Sequence, residues 1–172
     1  MLDSLITSKT RLKLLVKFFI NADNHSHLRG LAEEFGESTN AIRKELNHLT
    51  EAGYLQKEAV KNKISYSANT QHPLFGNLQG IVRKYVGFDT LLDQVLERIG
   101  EVERVVIIGD YANGVDSGTI SVKIQGSQID QSYIQQLCRK VEEMIERKVA
   151  IEIKDIENNS EGLILFEKKT NN

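Results

Sequence analysis

Apolar positions recur at three- and four-residue intervals in three early runs, and each run is bounded by residues that start or stop a helix. Leu12, Leu15, Val16 and Phe19 form the first stripe, with Ser8 placed to cap a helix from about Lys9 to Ile20. The polar stretch from Asn21 to Ser26 predicts a loop. Leu28, Leu31, Ala32 and Phe35 give a shorter stripe over Leu28 to Phe35, and Gly36 stands where a left-handed helix end belongs. Ser38 then caps a third helix, about Thr39 to Ala52, which turns Ile42, Leu46 and Leu49 toward a core and is stopped by Gly53. Two helices joined by a tight, glycine-containing turn form the helix-turn-helix pattern.

After Gly53 the period changes. Tyr54 to Glu58 and Lys63 to Ala68 predict two strands, with Ala59 to Asn62 as the tip of a hairpin. Helix, helix, helix and hairpin in this order describe a winged helix. Beyond Pro73, amphipathic segments from Leu74 to Tyr85 and from Phe88 to Ile99 flank Gly87; Leu91, Leu92, Val95, Leu96 and Ile99 are the apolar set of the second. Arg104 to Ile108 is β-branched and Thr119 to Ile124 alternates, so both predict strands. A helix from about Gln131 to Lys148 is expected to bury Ile134, Leu137, Val141, Met144 and Ile145. Strands at Val149 to Ile153 and Leu163 to Glu167 follow. The fold class expected is α+β, in four parts: a winged helix-turn-helix domain over 1–72, a helical linker or dimerisation region over 73–100, a small α/β domain over 101–168, and a polar tail over 169–172.

Composition changes this picture little until it is divided. The chain has 172 residues, 40% hydrophobic and 27% charged, enough for one ordinary domain or two small ones. Its formal charge of −2 gives no global sign of a nucleic-acid partner. Residues 1–80 nevertheless carry ten Lys+Arg against eight Asp+Glu, a net of +2, which leaves −4 for the remainder. The single cysteine, Cys138, excludes a disulfide framework and a cysteine-based zinc site, and reads as a packing residue. No run approaches the ~20 apolar residues of a membrane span, and Met1-Leu2-Asp3-Ser4 lacks the basic-then-apolar order of a secretory signal. A cytoplasmic protein without a membrane partner is the expectation.

Candidate chemistry lies on the third helix. Opposite its apolar stripe stand Asn40, Lys44, Asn47 and Glu51, with Arg43 on the flank. Arginine can bond guanine bidentately, asparagine suits adenine, and lysine suits a phosphate. Ser38 and Thr39, at the helix start, add hydroxyl and backbone N–H donors for phosphate oxygens. Glu45 and Glu51 oppose such a patch. Lys57, Lys61 and Lys63 lie on or beside the hairpin, with Asn62 at its tip and Tyr66 on the return strand, a pattern that suits backbone or minor-groove contact. Two plainer readings stand beside these: a polar helix face is often only solvated, and lysines on an exposed hairpin also guard a sheet edge.

Leu31-Ala32-Glu33-Glu34-Phe35, Ser38 through Leu46, and Leu49-Thr50-Glu51-Ala52-Gly53-Tyr54-Leu55 together resemble the winged-helix domains of ArsR-type transcription regulators. The resemblance implies double-stranded DNA as partner and a homodimer on two half-sites. Many such proteins sense metals through cysteine or histidine clusters. Here His25 and His27 are two apart, His48 and His72 are isolated, and Cys138 is distant, so no metal and no cofactor are expected.

A second motif, Gly109-Asp110-Tyr111-Ala112-Asn113-Gly114, lies between the Arg104 and Thr119 strands. It resembles the signature of minimal nucleotidyltransferases, Gly-Ser-Tyr-Ala-x-Gly before a strand bearing Asp-x-Asp. Leu74-Phe75-Gly76-Asn77-Leu78 and the helices after it resemble the linker of winged helices fused to such domains, so the likeness covers most of the chain. In active relatives the serine and glycine backbone hold a triphosphate and the aspartates hold Mg²⁺, the main charge stabiliser in phosphoryl transfer. Here Asp110 replaces the serine, and Thr119 and Ser121 replace the aspartates. Asp116 is out of register, and Glu152 matches the third carboxylate. The resemblance therefore implies a degenerate domain that is no enzyme, in which Gly109 and Gly114 keep the turn and the remainder serves ligand sensing or dimerisation. A small-molecule or nucleotide effector is open to it. The alternatives are a divergent active nucleotidyltransferase that docks substrate on its winged helix, and a protein-interaction module.

Overall fold

The computed structural model describes residues 5–156 and 162–168. Among them are six α-helices and two sheets: α1 (Lys9–Phe19), β1 (Ser26–His27), α2 (Leu28–Phe35), α3 (Thr39–Glu51), β2 (Leu55–Val60), β3 (Lys63–Ala68), α4 (Phe75–Val86), α5 (Phe88–Arg98), β4 (Glu101–Ile108), β5 (Thr119–Ser127), α6 (Gln131–Ile145), β6 (Lys148–Ile153) and β7 (Leu163–Glu167). The protein is of mixed α+β class. It divides into two compact units, Met1–Val82 with Asn113–Val115, and Arg83–Ala112 with Asp116–Asn172. The tail expected over 169–172 lies outside the described residues.

In the first unit, Ser8 caps α1 by accepting from Arg11 N, and Ser38 caps α3 by accepting from Ala41 N. Gly36 ends α2 at φ +64, a conformation costly for any side chain. Its N–H and that of Glu37 bond back to Glu33 and Ala32, closing the turn that leads into α3. Leu31, Ile42 and Leu46 are fully buried, joined by Leu12, Leu15, Val16, Phe19, Leu49 and Leu55. Helix α1 is more buried than its stripe predicts, since Leu14 and Phe18 on its other side are also fully enclosed.

The hairpin is longer and tighter than expected. Strands β2 and β3 pair from Leu55↔Ala68 to Val60↔Lys63, leaving only Lys61-Asn62 at the tip. Lys61 takes φ +55, the left-handed conformation that lets a two-residue turn follow strand twist. The predicted loop before α2 contains the short strand β1, which extends the sheet to the order β1-β3-β2.

The second unit is a four-stranded sheet in the order β6-β5-β4-β7, with β5 and β6 parallel and the other pairs antiparallel. Val105, Ile107, Ile120, Val122 and Ile124 are buried along its two central strands. Helix α6 ends at Ile145, three residues before the expected Lys148, because Glu146 adopts the left-handed conformation at φ +57. It buries Leu137, Val141 and Ile145, whereas Ile134 is only partly covered and Met144 is 56% exposed. Leu96, expected on the apolar face of α5, is also exposed. Cys138 is half-buried rather than enclosed, and burial, reinforced by the Glu142 charge, pushes its thiol pKa up. A raised pKa disfavours the reactive thiolate. No helix among the described residues is long and apolar enough to cross a membrane.

Candidate nucleic-acid interface

Helix α3 presents Thr39, Asn40, Arg43, Lys44 and Asn47 to solvent, as its wheel predicts. Arg43 and Asn47 line a groove of about 860 Å³ whose other walls come from the hairpin and the start of α2. The hairpin contributes Lys57, Asn62 and Lys63, and the residues around the start of α2 contribute His27 and Arg29. Lys44 lies on the opposite flank of α3, in a smaller hollow of about 290 Å³ that it shares with Arg11, Glu45, Asn47, His48 and Glu51. Asn47 therefore stands on the ridge between the two. Ser38, Thr39 and Asn40 sit at the helix start, outside both hollows, and the Ser38 oxygen is occupied in capping. Lys61, at the tip, is exposed and lines neither.

Tyr66 is not an exposed contact. It is only 7% exposed, pairs across the hairpin with Lys57, and forms part of the groove wall with Ile64. The alternation Ile64, Tyr66, Ala68 turns all three to that side.

Glu45 edges the hollow that holds Lys44, but its charge is matched by Arg11. It points inward, 8% exposed, where its carboxylate accepts from Ser8 Oγ and from Arg11 Nε, each at 2.8 Å. Burial alone would raise its pKa, but the bonds from Arg11 and Ser8 and the Arg11 charge outweigh burial, and the net shift is downward.

Three of the four cations of α1 are matched to an acid in the same way: Arg11 to Glu45, Lys13 to Glu37, and Lys17, itself buried, to Glu34, while Lys9 at the exposed helix start has no ion pair among the described residues. Among the described residues, Arg29, Arg43, Lys44, Lys57, Lys61 and Lys63 have no ion pair. Apart from Lys9, the unpaired positive charge of the first unit thus gathers on α3, the hairpin and the first turn of α2. Glu33 is the one acid that lines the larger groove.

His27 and Arg29 escape the sequence reading because they do not lie on the third-helix wheel. The signal available was their place on either side of the first residue of α2, Leu28. His27 Nδ1 lies 2.9 Å from the Ile64 carbonyl oxygen, tying the start of α2 to the hairpin.

A 3-10 helix, Gly109–Asn113, follows β4. Gly109 and Gly114 both hold positive φ, +69 and +73, and Gly114 falls in the stretch that groups with the first unit. Asp110 is exposed. Thr119 and Ser121 lie on β5 and Glu152 on β6; Ser121 pairs with Ala150, and Glu152 with Lys123. Thr119, Ser121, Lys123 and Glu152 share one face of the sheet, with Lys123 the cross-strand neighbour of Glu152.

Asp116 has a different role from a displaced metal ligand. Its carboxylate accepts from Arg147 Nη2 at 2.6 Å and Nε at 3.1 Å, and from the Tyr111 hydroxyl. Gly118 N–H donates to the Tyr111 oxygen at 3.2 Å, and the Arg147 guanidinium lies over the Tyr85 ring, 5.0 Å from its centroid. Burial would raise the Asp116 pKa, but Arg147 and Tyr111 more than offset it and hold the carboxyl below its usual range. Burial, then the bond to Asp116, push the Tyr111 phenol upward. Among the described residues no three His, Cys, Asp or Glu side chains converge as metal ligands would.

Comparison of the chain with protein-family models, with curated proteins and with solved structures gave no match.

Proposed function

We propose that the first unit is a winged helix-turn-helix that binds double-stranded DNA in a sequence-specific manner, as a transcription regulator acting as a homodimer. Helix α3 enters the major groove and the β2–β3 hairpin follows the backbone. The observation that carries this reading is the distribution of charge: three of the four cations on α1 are paired with acids, while none of those on α3, the hairpin and the start of α2 is. Unpaired lysine and arginine on a helix one major groove wide, beside a lysine-bearing hairpin, match the charge and width of duplex DNA. The overall −2 does not oppose this, because binding responds to the local field of the surface that meets the phosphates.

The second unit is, in this proposal, a nucleotidyltransferase-like fold that has left catalysis and serves ligand sensing or dimerisation. Two features support it: Asp116 is committed to Arg147 and Tyr111, and Lys123 neighbours Glu152 on the sheet face where metal ligands would be needed.

Selection of bound fragments from a genomic library, followed by anisotropy titration of the full-length protein at several salt concentrations, tests the reading. A reproducible motif with two related half-sites is expected, with log affinity falling linearly with log salt. Absence of salt-dependent binding to any duplex would overturn it, and robust transfer of labelled nucleotide with Mg²⁺ would overturn the reading of the second unit. In the same assay Lys63→Ala is expected to reduce the magnitude of the salt slope by about 0.9 per protomer, the share of one neutralised phosphate. An unchanged slope would remove Lys63 from the interface.

A further inference from the structure

Arg43 differs from the other cations of the groove in being held in place. Its Nη1 donates to the Asn40 side-chain oxygen at 3.0 Å, one helical turn earlier on α3. Arg29, Lys57 and Lys63, the other cations lining that groove, have no hydrogen bond or ion pair of this kind among the described residues. A lysine ammonium is a compact charge on a flexible stem, suited to a phosphate. A guanidinium is a flat fork of five donors, and fixing one of its nitrogens orients the whole plane.

We propose that Arg43 reads one guanine in each half-site and that Asn40 is the positioning residue that aims it. This inference rests on the DNA-binding reading above and deepens it. The major-groove edge of guanine offers two acceptors, O6 and N7, which match two parallel N–H groups of a guanidinium. Adenine presents a donor, N6, beside its N7, so the same fork meets an N–H with an N–H and discriminates against it. Arg43 lines the groove that α3 shares with the hairpin, whereas Lys44 sits on the other flank. Ordering Arg43 before DNA arrives lowers the side-chain entropy that binding removes. The bond also changes the role of Asn40. By residue type it is an adenine reader, but its oxygen, the acceptor that adenine N6 requires, already accepts from Arg43. Asn47, standing on the ridge, has no such engagement and remains available for a base.

The test uses the full-length protein and the duplex selected by it. Affinity is measured for that duplex, for the duplex with the guanine of each half-site exchanged for adenine, and for one carrying 7-deazaguanine, which removes only the N7 acceptor. Wild type is expected to lose about 5- to 150-fold per exchanged half-site, with a smaller loss for 7-deazaguanine. Arg43→Lys should lose most of that discrimination while keeping low-salt binding to unrelated DNA. Asn40→Ala should lose discrimination at the same base pair. Asn40→Asp keeps an acceptor for Arg43 and should restore the ratio, although its charge weakens binding to every sequence.

Unchanged discrimination in Arg43→Lys, or a selected motif without a fixed guanine, would overturn the guanine assignment. Loss in Asn40→Ala at a different base pair, or no loss, would overturn the positioning role. All these outcomes leave DNA binding itself standing. Failure of wild type to bind any duplex is a separate result, and it removes the parent reading together with this one. Thermal unfolding of each variant checks the fold, and little change is expected at these exposed positions.

Discussion

Replacing Arg43 and Lys44 together by alanine is expected to abolish sequence-specific DNA binding and to leave the protein folded. Both side chains are exposed, and neither has an ion pair among the described residues. Alanine is the best helix former, so α3 loses nothing intrinsic by the exchange. Binding should suffer on both flanks of the helix. Removing a bidentate bond to a base costs about 1–3 kcal/mol, and removing a charged hydrogen bond to phosphate costs about 1 kcal/mol or more. A homodimer applies that loss at two half-sites. The sum is about 4 kcal/mol at the low end, roughly a thousandfold, which brings the specific complex near non-specific affinity. Gel-shift titration against the selected duplex measures it, with the melting temperature as control. A double variant that shifts the duplex as well as wild type would show that α3 is not the reading element.

Much of this surface is legible in the sequence because helical spacing is local. Ile42, Leu46 and Leu49 fix which side of α3 is buried, and Arg43, Lys44 and Asn47 follow from that. What escaped depends on partners distant along the chain. Glu45 lies between the core positions of its helix, and a carboxylate there is stable because Ser8 and Arg11, over thirty residues earlier, bond it. Asp116 looked like a stray acid until Arg147, 31 residues later, closed on it. Strand β1 has two residues, too few to carry a period, and the hairpin tip depended on the left-handed conformation of Lys61. The burial of Tyr66 does not follow from alternation, since Ile64 on the same face is half exposed while Ser65 and Ser67 on the other face are buried. Met144 shows the limit of a stripe drawn too wide. The buried positions of α6 advance by four, 137, 141 and 145, and Met144 falls beyond their edge.

The largest stability effect is expected at Asp116→Ala, and its pH dependence identifies the cause. The Arg147 side chain is 12% exposed and Tyr111 is fully buried, so removing their shared acceptor leaves a largely desolvated cation and a buried hydroxyl without it. A wholly buried pair broken from one side costs about 3–5 kcal/mol. The Asp116 side chain is 30% exposed, and water reaching that edge reduces the expected loss to about 2 kcal/mol. For a unit of this size that lowers the melting temperature by roughly 10 °C. Asp116→Asn keeps an acceptor for Tyr111 but not the charge, and should fall between. The sign with pH follows from the downward shift of the Asp116 carboxyl. The folded state holds this group ionised below the unfolded value of about 3.9, so its contribution is complete at neutral pH. It disappears as pH falls through the lowered folded value. The gap between wild type and Asp116→Ala should therefore stay constant from pH 8 to 5 and close below about pH 4, because only wild type has this charge to lose. Urea unfolding of both proteins at pH 7 and pH 3 measures the gap. An equal gap at the two values would assign the loss to packing rather than to the Arg147 pair, and no gap at pH 7 would mean that Arg147 and Tyr111 find other partners at no cost.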